Sequence, residues 1–159
     1  MATTLTFGLP LGNDSGGSQG QLQLGDGEFN QLIAIDAGTG WEAGSTPFYA
    51  NASLGFNNRN KGFSDEIRYS FELGAHLFNR KLWAIGRLTG TESLKNGDTA
   101  ATTLSTSIFA NNSEFLSIGG ELAYNINDDL GVSVGFANAI RGEVIFASPS
   151  YTVGVFTTF

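Results

Sequence analysis

The sequence predicts an all-β fold, an antiparallel up-and-down transmembrane β-barrel of about eight strands in one domain spanning residues 1–159. Three observations carry this. Apolar and polar residues alternate with period two over long stretches. Long and short connections alternate along the chain. The chain stops on an aromatic residue that closes an alternating strand.

The alternation is clearest in three places. Between Phe48 and Asn58 the even positions are Phe48, Ala50, Ala52, Leu54 and Phe56, while Tyr49, Asn51, Ser53, Gly55 and Asn57 fall between them. Between Glu66 and Leu77 the odd positions are Ile67, Tyr69, Phe71, Leu73 and Ala75, against Glu66, Arg68, Ser70, Glu72, Gly74 and His76. Between Phe115 and Ile126 the even positions are Leu116, Ile118, Gly120, Leu122, Tyr124 and Ile126, against Phe115, Ser117, Gly119, Glu121, Ala123 and Asn125. Such runs approach the roughly 9–11 residues of a tilted membrane strand, and exceed the roughly 5–6 usual in soluble domains. Strands are expected near 2–9, 28–41, 47–58, 65–78, 81–93, 114–126, 130–141 and 150–159.

The connections follow a parity. Phe78 to Lys81 and Asn127 to Asp129 are tight polar turns, whereas 12–27 and 95–113 are long and rich in Gly, Ser, Asn and Thr. Barrels of the outer membrane have short turns on one side and longer loops on the other. Tyr151, Val153, Val155 and Phe159 share one face of the last strand, the pattern by which outer-membrane insertion machinery reads a C-terminal strand. Aromatics are expected at both strand ends: Trp41, Phe48, Phe78, Tyr124 and Phe159 at one, Phe56, Phe63, Tyr69 and Tyr151 at the other.

Composition agrees. Charged residues are 14% of the chain, hydrophobic residues 41%, and the formal charge is −7, an acidic balance that excludes a nucleic-acid partner. There is no Cys and one His, which removes disulfides, thiol catalysis and zinc–thiolate sites. No metal, cofactor or enzymatic motif emerges. Glu66 and Glu72 on one strand lie about 20 Å apart, too far for a glycosidase pair. No secretory signal opens the sequence, so a bacterial outer-membrane location implies a mature or recombinant form.

Several segments then resemble a known group: Gly8-Leu-Pro-Leu-Gly12, Leu24-Gly-Asp-Gly-Glu28, Tyr49-Ala-Asn-Ala-Ser-Leu-Gly-Phe56, Asp65-Glu-Ile-Arg-Tyr69 and Tyr151-Thr-Val-Gly-Val155. Together they look like the outer-membrane transporter family associated with phenol meta-pathway degradation. The resemblance implies a porin-like transport barrel for small solutes, aromatic ones among them. Members of that family run longer, which implies missing strands or a reduced barrel here. No functional residues are carried over.

Inward positions hold the candidate site. A turn at Asn79-Arg80 sets Glu72 opposite Arg87. Glu121 and Asp36 fall at similar heights, giving a lumen charge cluster of Asp36, Glu72, Arg87 and Glu121. Glu66, Arg68, His76 and Arg141 also take inward parity. Trp83 does so too, unless a bulge at the turn sends it to lipid. Inward glycines (Gly38, Gly55, Gly74, Gly119, Gly131, Gly135 and Gly154) leave space for long side chains or water. An eight-stranded barrel has an interior its own side chains can fill. Two functions therefore stand: a passive pore for small hydrophobic or cationic solutes, and a plugged structural barrel working through its external loops in the lipid bilayer.

Overall fold

A computed structural model describes residues 1–11, 27–98, 111–145 and 147–157. Eight strands form one antiparallel sheet in sequence order: β1 (Ala2–Gly8), β2 (Asn30–Ala43), β3 (Thr46–Arg59), β4 (Glu66–Leu77), β5 (Leu82–Ser93), β6 (Glu114–Asn125), β7 (Leu130–Glu143) and β8 (Ser150–Thr157). Among the described residues there is no helix, and none long and apolar enough to cross a membrane. The up-and-down order matches the expectation. Closure does not: β1 pairs only with β2 and β8 only with β7, so the sheet is open at both edges rather than a closed barrel.

The short connections gather at one end of the sheet. Ala43 pairs with Thr46 across Gly44-Ser45, and Gly44 takes the left-handed φ of 64° that glycine adopts without strain. Leu77 pairs with Leu82. The turn between them holds Phe78, Asn79 and Arg80 at φ of 51°, 55° and 64°, and is tied by Lys81 N donating to Leu77 O at 3.1 Å. In the third turn Asn127 Oδ1 accepts from the backbone N–H groups of Asp129 and Leu130, an Asx-type local bond.

Strand alternation sorts the side chains into two faces. Leu5, Ile33, Ile35, Leu54, Phe71, Leu73, Ile118, Leu122 and Val134 lie on one, and all are exposed. The other carries Asp36, Asn57, Glu66, Glu72, Arg87 and Glu121. Burial is inverted relative to a water-soluble fold: the described buried apolar residues are Ala34 and Phe63, whereas Glu28, Asn57, Ser64, Glu66, Thr91 and Asn111 are buried and polar. Aromatic rings sit at both ends of the apolar face. Trp41 stacks on Phe48 at 5.6 Å at the short-turn end, and Phe7 stacks on Phe29 at 6.2 Å at the long-loop end. Phe63 departs from its expected belt position. It is buried beneath Arg59, whose guanidinium carbon lies 4.5 Å from the ring centroid. The terminal Phe159 and most of the segments 12–27 and 95–113 lie outside the described residues.

One register shift changes a face. Leu116 pairs with Arg141 but Ser117 with Ala139, leaving Ile140 as an extra residue. Beyond such a bulge the parity of a strand reverses. Arg141, read by simple parity as lumen-facing, therefore stands on the apolar side with Leu116.

Candidate functional site

The charged face holds two ion-pair networks at different heights. The first lies at the long-loop end. Arg59, the last residue of β3, donates from Nε and Nη2 to Glu28 at 2.7 and 2.5 Å, a bidentate pair, and from Nη1 to Glu66 Oε1 at 2.5 Å. Arg68 donates to Glu66 Oε2 at 3.0 and 2.8 Å, and Asn57 Nδ2 reaches the same oxygen at 3.1 Å. Asn57 Oδ1 is buried without a partner among the described residues. The loops beside this network are stitched by side-chain amides: Ser64 N donates to Asn111 Oδ1, Ser64 Oγ to Asn112 Oδ1, and Gly97 N to Ser64 Oγ.

The second network lies mid-sheet. Glu72 is directly opposite Arg87, in the anticipated register. Arg87 Nε donates to Glu72 at 2.5 Å and Nη1 to Glu121 at 2.6 Å, and Tyr49 OH donates to Glu72 at 2.8 Å. The structure thus brings together three of the four residues of the expected cluster. Asp36 is not among them. Its row runs through Ser53, Ser70, Thr89 and Ser117, one inward step toward the long loops from the row holding Glu72 and Arg87. Its carboxylate instead accepts from Thr4 Oγ1 at 2.7 Å. With Asp36, four hydroxyl residues make a polar row across the sheet beside the charged one.

His76 stacks on Trp83 at 4.1 Å, and Trp83 meets Tyr49 edge-on at 5.3 Å. The β4–β5 register is unbroken through His76 and Trp83, so no bulge turns the indole away from the charged face. His76 Nε2 has no partner among the described residues, and no cluster of potential metal ligands occurs among them. Glu66, Arg68 and His76 all occupy the charged face, as parity requires.

The inward glycines are close-approach points rather than open space. A Cβ on Gly74 would lie 2.1 Å from Tyr49 Cε1, and one on Gly131 would lie 2.1 Å from Phe156 Cζ. Gly74→Val is expected to displace the Tyr49 ring, break its bond to Glu72 and cost about 1–3 kcal/mol of stability. A double variant that also carries Tyr49→Ala should recover part of that loss in equilibrium unfolding.

Sequence reasoning missed Glu28 and Arg59. Arg59 continues the inward odd parity of β3, so a strand boundary drawn one residue later would have included it. Glu28 opens the strand expected at 28–41 with the parity of Asp36, yet in the structure it precedes β2. Also missed was a cluster on the opposite face: Arg141 pairs with Glu92, Tyr69 OH donates to Glu92 at 3.0 Å, and Lys95 pairs with both Glu114 and Glu143 at 3.3 Å. The hydrogen bonds to Glu114 and then Glu143 hold the Lys95 ammonium above the usual lysine range.

In the loop after β3, Asp65 is held below the usual carboxylate range. The leading cause is the Arg59 backbone N–H, donating at 2.9 Å, and the Asn96 side chain adds a second donor at 2.8 Å. A depressed folded pKa contributes stability that is present at neutral pH and lost as pH falls through the folded value. Acid titration of unfolding should therefore show a stability loss below about pH 4 that Asp65→Asn reduces. An identical acid limb in the variant would remove Asp65 from the account.

No known protein family, no curated protein sequence and no solved structure matches this chain.

Proposed function

We propose that this chain is a bacterial outer-membrane β-barrel whose charged face lines a narrow lumen and gives small solutes a passive route through the bilayer. The observation that carries the reading is the inverted sheet. One face exposes a continuous band of large apolar side chains, while the other gathers its carboxylates and guanidinium groups into pairs. In water such a band is an aggregation surface; in lipid it is the required outer surface. The aromatic rings at both ends of the band and the asymmetry of the connections support the same placement. The resemblance to phenol-pathway transporters supports a transport role, and the last strand fits delivery by outer-membrane insertion machinery.

Among the described residues, six carboxylates (Glu28, Asp36, Glu42, Glu66, Glu72 and Glu121) stand on this face against four guanidinium groups (Arg59, Arg68, Arg87 and, from the turn, Arg80). That excess favours cations over anions in any conducting path. A second reading, a plugged barrel acting through its loops, draws support from the glycine clefts already occupied by Tyr49 and Phe156.

The test is single-channel recording in a planar bilayer, on protein whose folding is verified by slower gel migration after boiling. Steady cation-selective current that weakens in Glu72→Gln or Glu121→Gln supports the pore. Folded protein without current supports the plug. Protein whose migration ignores boiling counts against a membrane barrel altogether.

A further inference from the structure

The two open edges of the sheet are staggered by the amount that an eight-stranded barrel needs in order to close. The row of directly opposed residues starting at Ser150, the first residue of β8, runs through Ala137, Gly119, Arg87, Glu72, Asn51 and Gly38. Gly38 lies two positions past Asp36, the partner of Ala2. The long-loop end of β8 is thus level with the chain just below the short-turn end of β1. Across the sheet the strand ends drift by a full strand length, so the rows of the two edges do not overlap.

That drift has a geometric meaning. Strands in a barrel tilt by about 35–45°, and tilt requires register to slip on going once round. With a spacing of about 4.8 Å between strands and a rise of about 3.3 Å per residue, eight strands slip by about 8–11 residues. Faces must also match across the seam, which permits only even slips. We propose, resting on the membrane-barrel reading, that the free edge of β1 pairs antiparallel with the free edge of β8 of the same chain, at a slip of about 8 or 10 residues.

The smaller slip sets Gly8 opposite Ser150 and Ala2 opposite Phe156; the larger sets Gly8 opposite Thr152 and Thr3 opposite Thr157. In both, Leu5 and Phe7 meet Val153, Tyr151 or Val155 on the apolar face. Thr4 and Thr6 then meet Thr152, Gly154 or Phe156 on the other. The two strands are also matched in length. Exposure marks the missing neighbour: Val153 on the edge is 85% exposed, against 53% for its partner Val134. In lipid, the unpaired N–H and C=O groups on these edges find no water to bond, which drives closure. Both edges belong to one sheet, so pairing within the chain outcompetes pairing with a second copy at low concentration.

The chain has no native Cys, so disulfide trapping has no background. Thr6→Cys is combined in turn with Ser150→Cys, Thr152→Cys, Gly154→Cys and Phe156→Cys, in lipid-folded protein whose heat-modifiability is verified. A link at monomer mass is expected with Thr152→Cys or Gly154→Cys. Links only at the two flanking positions, or only at dimer mass, would overturn this seam while leaving a membrane barrel of another slip or of two chains. No link in heat-modifiable protein would overturn the seam and with it a barrel closed by this chain alone. Loss of heat-modifiability in the unsubstituted protein would overturn both. Should the double variants fold poorly, spin labels at the exposed positions Leu5 and Val153 give the second measurement. Adjacent-strand distances support the seam, and separation across the sheet overturns it.

Discussion

Replacing Arg59 with alanine is expected to lower the unfolding free energy by about 3–5 kcal/mol. The side chain is only 9% exposed, and that of Glu28, its bidentate partner, is fully buried. Removing the guanidinium strips both carboxylates of their shortest bonds, and Arg68 is bonded to Glu66 alone in this network. The cost of breaking a buried pair is chiefly the uncompensated charge left behind. The double variant Arg59→Met with Glu28→Gln should therefore recover much of the loss, because it removes charge on both sides. Denaturant titration of refolded protein, with the double-variant cycle, measures both. A single-variant loss below about 1 kcal/mol would mean that water screens the network, as at an exposed pair. Arg87→Ala is the natural comparison. Its side chain is 40% exposed in the open sheet, so its loss should be the smaller unless closure of the sheet covers it.

The parts of this architecture that were legible in the sequence are those governed by local periodicity. Eight strands follow from period-two alternation because each strand keeps one face apolar and the other polar. The Glu72–Arg87 contact was legible because a single short turn fixes the register of β4 against β5 through to both residues. Errors begin where one residue is inserted. The extra Ile140 reverses the parity of β7 and carries Arg141 to Glu92 on the apolar side. Nothing in the alternation of a strand end announces that insertion. Asp36 was placed by height alone, and strand tilt shifts height by one inward step between β2 and β4. Glu28 and Phe63 come from segments between strands, where position is set by the bonds of Arg59 rather than by any repeat. The edges show the same division: alternation defines β1 and β8, but their relation to each other depends on the slip accumulated over every strand between them.

Phe71→Arg separates a membrane surface from a water-facing one. Phe71 lies at the middle of β4, on the apolar face, and is 47% exposed. Its cross-strand partners are Ala52 and Leu88, so no carboxylate stands beside it in its row. If this face meets lipid, the arginine must bring a charge to the depth where the bilayer is least tolerant of it. The expected cost is about 2–4 kcal/mol, falling to about 0–1 kcal/mol for the same change near an interface. If the face meets water, an exposed side chain is exchanged for another, and a surface change away from special features stays within about 0.5 kcal/mol. The depth dependence is the sharper criterion, because loss of packing alone does not vary with distance from the bilayer centre. Phe7→Arg near the long-loop end of β1 and Ile140→Arg at the bulge toward the long-loop end of β7 supply positions away from the middle of their strands. Refolding titrations in vesicles should rank Phe71→Arg as the most costly of the three. Equal and small losses at all positions would place the apolar band in water, and the inverted burial of the sheet would then need a protein partner rather than a lipid one.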